Sequence, residues 1–204
     1  MTDATPEPAA IPPGHAVWEL ARPPRTIVPL AGLPFVGVAL AFLLTAVVGG
    51  WLWALEFAHV AFGAAWTIID LFFGLVIGPL LGRMSMQARL ELTSRLMPQM
   101  SLIMPTVVTV TLVAGFQLAV KLGTIYSAHP HHAWVLASFA VVGVMTMVAL
   151  GVNEPTNLAV LFEMRKPEPN GELIERLMRR FVYSAGVLGV MQVATLIIMA
   201  RLAS

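Results

Sequence analysis

The sequence predicts an all-α protein: a polytopic bundle of about five transmembrane helices, with the N-terminus inside and the C-terminus outside. Of its 204 residues, 58% are hydrophobic and only 11% are charged, and the mean hydropathy is +0.82. Soluble domains carry about 25% charged residues, so this composition indicates an integral membrane protein. Five apolar segments approach or exceed the ~20 residues that a helix needs to cross a bilayer. Basic residues gather in alternate connections, which predicts the orientation.

A proline-rich arm precedes the apolar segments. Residues 1–29 hold seven of the fifteen prolines and lack a helical period, so we expect a disordered cytoplasmic arm. Residues 30–204 form the predicted bundle, with spans over residues 30–48, 51–82, 100–123, 133–152 and 181–202. Gly49 and Gly50 predict a tight turn between the first two spans. One long kinked helix over residues 30–56, or a re-entrant first segment, fits the same pattern.

Ten of the twelve lysines and arginines fall on the side of the N-terminus in this topology, and only Lys121 and Arg201 fall outside. That bias follows the positive-inside rule. The inner connections are the long ones. Residues 83–99 predict an amphipathic surface helix ended by Pro98, and residues 153–180 begin with the motif NEPTN, where Asn153 or Thr156 is a candidate helix cap.

The composition also bounds the partners. The chain has no cysteine, which excludes disulfides and thiolate metal sites. It has no basic, aromatic-interleaved patch, so we expect no nucleic-acid partner. We expect membrane lipid to surround the bundle. Gly74, Gly78 and Gly82 repeat every four residues, a small-residue face that predicts close helix approach, including contact with a second copy or another membrane subunit.

The second span carries an ionisable residue at bilayer depth. Helical spacing places His59, Gly63, Trp66, Asp70 and Ile77 on one face. An Asp at the centre of a membrane helix costs about 2.5–3.5 kcal/mol on insertion scales, so it is a candidate functional residue. Counting along the other spans places Thr109, Thr111 and Gln192 at its depth as hydrogen-bond partners. Ordinary interhelical hydrogen bonding is the structural alternative, and threonines can also bond their own backbone.

Four of the five histidines fall at the outer end of the predicted bundle. His59 lies just inside the outer interface, and His129, His131 and His132 lie in the loop SAHPHHAW. Neutral imidazole is the commonest ligand for haem iron, copper and zinc, so these four are candidate metal ligands. Haem b needs one or two axial imidazoles and an apolar slot, which Trp66 is expected to wall. The alternative is that the loop histidines are solvated and His59 only hydrogen-bonds.

The second span resembles a known signature helix. The pattern HVxxGxxWxxxxxxxGxxxGPxxxR, from His59 to Arg83, is similar to that of copper-resistance D-like membrane proteins and haem-binding membrane protoporphyrinogen oxidases. The resemblance covers about 28 residues and implies that His59 ligates haem b or a periplasmic copper ion. The sequence departs from the pattern at Asp70 and in its extra first span. A weaker likeness, in NEPTNLAVL, is to anthrone oxygenase-like four-helix proteins.

Three functions therefore fit the sequence. The first is a haem- or metal-binding redox or metal-handling protein of a bacterial-type inner membrane, with its site near the outer face. The second is a small proton-coupled transporter that depends on Asp70, in which case no cofactor is needed. The third is a non-catalytic anchor or assembly subunit. The residues specify no reaction, so an enzyme is not asserted.

Overall fold

Five long helices form the bundle in the computed structural model, which describes residues 29–167 and 169–202. They are α1 (Leu30–Gly49), α2 (Leu52–Arg83), α3 (Met86–Lys121), α4 (His132–Glu163) and α5 (Gly171–Leu202). All five are long and apolar enough to cross a membrane, and the described residues contain no strand. The predicted all-α membrane bundle is confirmed, and the chain is an integral membrane protein. Residues 1–28 of the predicted arm lie outside the described residues.

A glycine turn separates α1 from α2. Gly50 has a φ of 65°, in the left-handed region that L side chains rarely adopt, and its N–H bonds back to the Val47 carbonyl. The Lys121 ammonium, at the end of α3, packs over the turn, 3.1 Å from where a Cβ on Gly50 would lie. The first two apolar segments are therefore separate helices rather than one long kinked helix.

Two helices contain a π turn just before a proline. Proline lacks an N–H, and its ring crowds the carbonyl four residues earlier. In α2 the turn is Phe73–Ile77, before Pro79, and in α4 it is Ala149–Asn153, before Pro155. The N–H groups of Gly78 and Glu154 bond to carbonyls five residues back, which widens the helix so that it continues past the proline.

The predicted surface helix ended by Pro98 is wrong. Helix α3 runs without interruption for 36 residues and contains both Pro98 and Pro105. Its inward face buries Leu90, Met97 and Met104, and this packing outweighs the helix-breaking tendency of proline. At about 1.5 Å per residue the helix is ~54 Å long, so it extends well beyond a ~30 Å hydrocarbon core.

The inner parts of α4 and α5 are also helical beyond the predicted spans. Helix α4 continues from the apolar span through NEPTN to Glu163, and α5 begins at Gly171 rather than near Phe181. Asn153 and Thr156 are buried within α4 and cap no separate helix, so that prediction is wrong. The Asn153 side chain instead accepts a hydrogen bond from the Ser184 hydroxyl on α5.

The hydrophobic core has two parts. The larger one joins α2, α3, α4 and α5, with Phe73, Met97, Leu161 and Leu188 among its buried members. The smaller one joins α1 to the outer halves of α2 and α3. Helix α1 therefore lies at the edge of the bundle, while the face of α2 that carries Asp70 points into the larger core.

Candidate functional site

The predicted polar face of α2 points into the protein. Trp66 and Asp70 are 3% and 2% exposed, Ile77 is buried, and His59 and Gly63 are partly buried. Gly63 lies against the methyl group of Thr111 on α3. The single face predicted from the helical period is therefore the contact surface of α2 with its neighbours.

Asp70 is joined to α5 by a buried hydrogen bond. The Gln192 Nε2 donates to Asp70 Oδ2 at 2.7 Å, so the predicted partnership of these two residues is confirmed. Gln192 is only 3% exposed, and its Oε1 is buried without a hydrogen-bond partner among the described residues. A neutral carboxyl has one O–H donor, so protonated Asp70 carries the group that the unpaired amide oxygen requires.

Trp66 completes the buried polar cluster. It lies one turn before Asp70 on the same face of α2, and both side chains are buried. The pair does not reach full hydrogen-bond geometry, so the indole N–H has no formal partner among the described residues. The predicted wall of a haem pocket thus lies beside Asp70, about two turns from His59.

The two threonines do not bond Asp70. Thr109 is exposed on the outer surface of α3, and the Thr111 hydroxyl donates to the Val107 carbonyl of its own helix at 2.8 Å. Both were predicted as partners because counting along the spans placed them at the depth of Asp70. Thr111 packs against Gly63 of α2, about two turns from Asp70, so the depth inferred by counting along the spans is wrong for Thr111, while Thr109 lies on an exposed face. The Thr111 hydroxyl follows the alternative of bonding its own backbone.

His59 is held by α3. Its Nδ1 lies 2.9 Å from the Thr111 carbonyl oxygen. Because a carbonyl can only accept, Nδ1 carries the proton and Nε2 keeps its lone pair in the neutral ring. Gly115 makes room for the imidazole, since a Cβ there would lie 2.6 Å from two ring atoms. The imidazole is thus oriented in the way that second-shell carbonyls orient metal-ligating histidines.

The loop histidines form a separate group between α3 and α4. The His131 N–H donates to His129 Nδ1 at 3.2 Å, the two rings are 5.5 Å apart, and the His132 Nδ1 is buried without a described partner. Among the described residues, no three His, Asp or Glu side chains are placed to hold a metal ion. The structure therefore does not bring His59, His129, His131 and His132 together as one ligand set.

The glycine face of α2 contacts α5 within the same chain. A Cβ on Gly74 would lie 2.6 Å from the Gly186 Cα, and one on Gly78 would lie 2.6 Å from a Val182 methyl group. A Cβ on Gly82 would meet nothing within 4 Å. Close helix approach is confirmed at the first two positions, while contact with a second subunit through this face stays a prediction.

Next to this contact, a half-open cavity of about 810 Å³ lies between α2, α3 and α5. Its deep end is lined by Gly74, Gly186 and Met191, so it reaches within about one turn of Asp70 and Gln192. Its other end carries Arg89, Glu175, Arg179 and Tyr183. Size and depth place it within the ~300–1,000 Å³ range of ligand pockets.

Sequence reasoning missed several residues of this region. Gly186 and Gly189 pack against α2, and Gly115 leaves room for the His59 imidazole. Arg89 bonds to groups at the ends of α2 and α5 and before α3. The small residues Ser184, Ala185, Gly186 and Gly189 in the fifth span were the available signal for a close helix contact. Arg89 carried no such signal, because its partners come from the ends of other helices.

The chain matches no family model, no curated protein and no solved structure. The resemblances in α2 and in NEPTN therefore remain likenesses of short motifs. A helical bundle is compatible with many functions, so the site itself must carry the functional argument.

Proposed function

We propose that this protein is a small proton-coupled carrier of a bacterial-type inner membrane, with Asp70 as the group that takes up and releases the proton. The observation that carries the proposal is the buried Asp70–Gln192 hydrogen bond between α2 and α5, with a cavity ending about one turn away. No described lysine or arginine forms an ion pair with Asp70. A carboxyl group buried in a membrane without a cation is favoured in its neutral form.

The hydrogen bonds that Asp70 can make depend on whether it is protonated, and this links the proton to the contact between α2 and α5. Neutral Asp70 donates to an oxygen and accepts from an N–H, which is the complement of a glutamine amide. Ionised Asp70 only accepts, so it leaves Gln192 Oε1 unpaired and draws in other donors such as the Trp66 indole. Gain and loss of the proton therefore favour different arrangements of α2 against α5.

The backbone beside Asp70 can accommodate such a change. The π turn begins at Phe73, three residues after Asp70, and π turns occur frequently at functional sites. Gly74 and Gly186 place two backbones in direct contact at the same level. A small rotation of α2 there would alter the deep end of the cavity without moving a large side chain.

Infrared difference spectroscopy of the purified protein tests the proposal without a known substrate. We expect a protonated-carboxyl C=O band that changes with pH and is lost in Asp70→Asn, while the variant stays folded. Glu91→Gln is the control, because Glu91 is exposed and pairs with Arg95 on the surface. A band that is insensitive to pH, or a spectrum that Asp70→Asn leaves unchanged, would reject proton exchange at Asp70.

A second candidate function is ligation of haem b or a copper ion by His59. The Nδ1 contact to the Thr111 carbonyl supports it, because it leaves Nε2 free. His59 does not line the 810 Å³ cavity, so a haem would have to be enclosed by other surfaces, such as a second protomer. Haem would supply redox chemistry when bound. A Soret band in purified protein that His59→Ala removes would favour this function over the carrier.

A further inference from the structure

The cavity between α2, α3 and α5 is open toward the surface that a bilayer would cover. Along its α5 edge, Tyr183, Val187 and Val190 are 71%, 58% and 70% exposed. Its floor includes Gly74, Gly78 and Gly82 of α2 with Gly186 of α5, and a Cβ on Gly82 would meet nothing within 4 Å. A mostly apolar lining with a side entrance suits hydrocarbon chains that enter from the membrane rather than from water.

One end of the cavity is polar and carries a net positive charge. Arg89 is fixed there: its guanidinium bonds Glu175 at 3.0 Å and the carbonyls of Met84 and Gly82 at 3.0 and 3.3 Å. Glu175 thus neutralises one of the two guanidinium groups that line the cavity. Arg179 supplies the unbalanced positive charge.

Arg179 is exposed and makes no hydrogen bond or ion pair with any other residue that the structure describes. Tyr183 lies one turn further along α5 and also lines the cavity. A phosphate group accepts from guanidinium and phenol donors, and arginine binds it through two parallel N–H bonds. The basic end also lies on the side where Arg83, Arg176 and Arg180 are exposed.

We propose that this cavity is a binding site for one anionic glycerophospholipid. The phosphate lies at Arg179 and Tyr183, and the acyl chains lie along the glycine floor toward Gly74. The site adjoins Asp70 but uses none of its atoms, so it stands whether or not Asp70 exchanges protons. An apolar helix face of a second copy would also cover the groove, but an apolar face offers no anion to the Arg179 guanidinium.

Native mass spectrometry with two lipids of identical chains tests this site. Dioleoylphosphatidylglycerol and dioleoylphosphatidylcholine are added to the detergent-purified protein, and the ratio of bound lipid is measured. We expect one retained phosphatidylglycerol and no comparable preference for phosphatidylcholine. Arg179→Gln should lower that preference about tenfold, as expected for the loss of a charge-assisted hydrogen bond.

A second variant blocks the floor. Gly82→Leu places its Cβ where nothing lies within 4 Å, so the side chain fills the groove without displacing the backbone. We expect it to lose the retained lipid while its thermal unfolding stays close to that of the wild type. Arg95→Gln and Gly37→Leu are the matched controls, because neither residue lines the cavity and a Cβ on Gly37 also meets nothing.

Three outcomes would overturn the proposal. The first is an unchanged lipid ratio in Arg179→Gln. The second is equal binding of the two lipids, which is ordinary solvation of a membrane surface. The third is a dimer in the same spectra that Gly82→Leu dissociates, because the groove would then be an interface between two copies.

Discussion

Asp70 and Gln192 lie 122 positions apart in sequence and meet in the buried centre of the bundle. Among the described residues, neither side chain makes another hydrogen bond of full geometry. This makes the pair separable from its surroundings. The free energy that it contributes can therefore be measured by changing each residue alone and then both together.

We expect Asp70→Leu to lower the free energy of unfolding by about 1–3 kcal/mol, because it leaves a buried glutamine amide unpaired. Asp70→Asn keeps an acceptor for Gln192 Nε2 and should cost less. The double variant Asp70→Leu/Gln192→Leu should recover much of the loss, since removing both polar partners leaves no unpaired group. Denaturant unfolding in mixed micelles measures all three.

Thr109→Leu is the control on the neighbouring helix α3. Thr109 is exposed on α3, so its removal should leave the unfolding free energy unchanged. A loss as large as that of Asp70→Leu would contradict the placement of Thr109. If Asp70→Leu alone were as stable as the wild type, the hydrogen bond would contribute nothing and the structural role of the pair would be rejected.

The residues of this cluster were predictable only in part. Position along each apolar span gives the depth of Asp70 and Gln192, and both lie near the middle of their segments. Rotation about the helix axis and the register between α2 and α3 both depend on packing, so Thr109 lies on an exposed face and Thr111 packs beside Gly63 rather than Asp70. The orientation of His59 depends on Gly115 and the Thr111 carbonyl, and the carbonyl has no side-chain signal at all.

At the scale of the helices, proline had two different outcomes. Pro79 and Pro155 follow π turns, whereas Pro98 and Pro105 lie inside one continuous helix. The end predicted at Pro98 failed because α3 packs against two or more helices along its buried face, and tertiary packing supplies most of the stability of a helix. Sequence alone shows the missing N–H but not this packing.

The glycine face of α2 offers a matched pair of substitutions at the same scale. Gly74→Ala would place a Cβ 2.6 Å from the Gly186 Cα, and a backbone atom cannot rotate away as a side chain can. We expect a loss of about 1–3 kcal/mol in the free energy of unfolding, typical of overpacking. Gly82→Ala should be neutral or stabilising by up to ~1 kcal/mol, because alanine favours a helix more than glycine does.

Thermal and denaturant unfolding of the two alanine variants give the comparison directly. The two positions share a helix and a substitution, so their difference isolates the contact with α5. Equal stability of the two variants would mean that α2 and α5 do not approach as closely as the structure places them.

At the scale of the whole molecule, the number of helices was the strongest sequence signal. Five apolar segments predicted five helices, and each is present with at least part of its predicted span. Their inner extensions were not predicted, because the charged stretches around residues 83–99 and 153–180 resemble surface connections. The extensions of α3 and α5 line the polar end of the cavity, so the proposed lipid site could not have been found from hydropathy.

The orientation of the bundle follows from charge and is open to a direct test. Five crossings place the two ends of the chain on opposite sides, and ten of its twelve lysines and arginines fall on the predicted inner side. Because the chain has no cysteine, a single introduced cysteine reports its own exposure. Ala128 and Glu172 are both exposed, the first between α3 and α4 and the second in the first turn of α5.

We expect a membrane-impermeant maleimide to label Ala128→Cys in intact cells and Glu172→Cys only after the membrane is permeabilised. The reason is that membrane insertion retains positive charge on the cytoplasmic side, so we expect the arginine-rich end of the bundle to stay there. The reverse pattern would place Arg179 and the cavity entrance on the outer side. Labelling of both positions from one side would show that α4 does not cross, which would reject the five-span topology and remove the membrane depth assigned to Asp70.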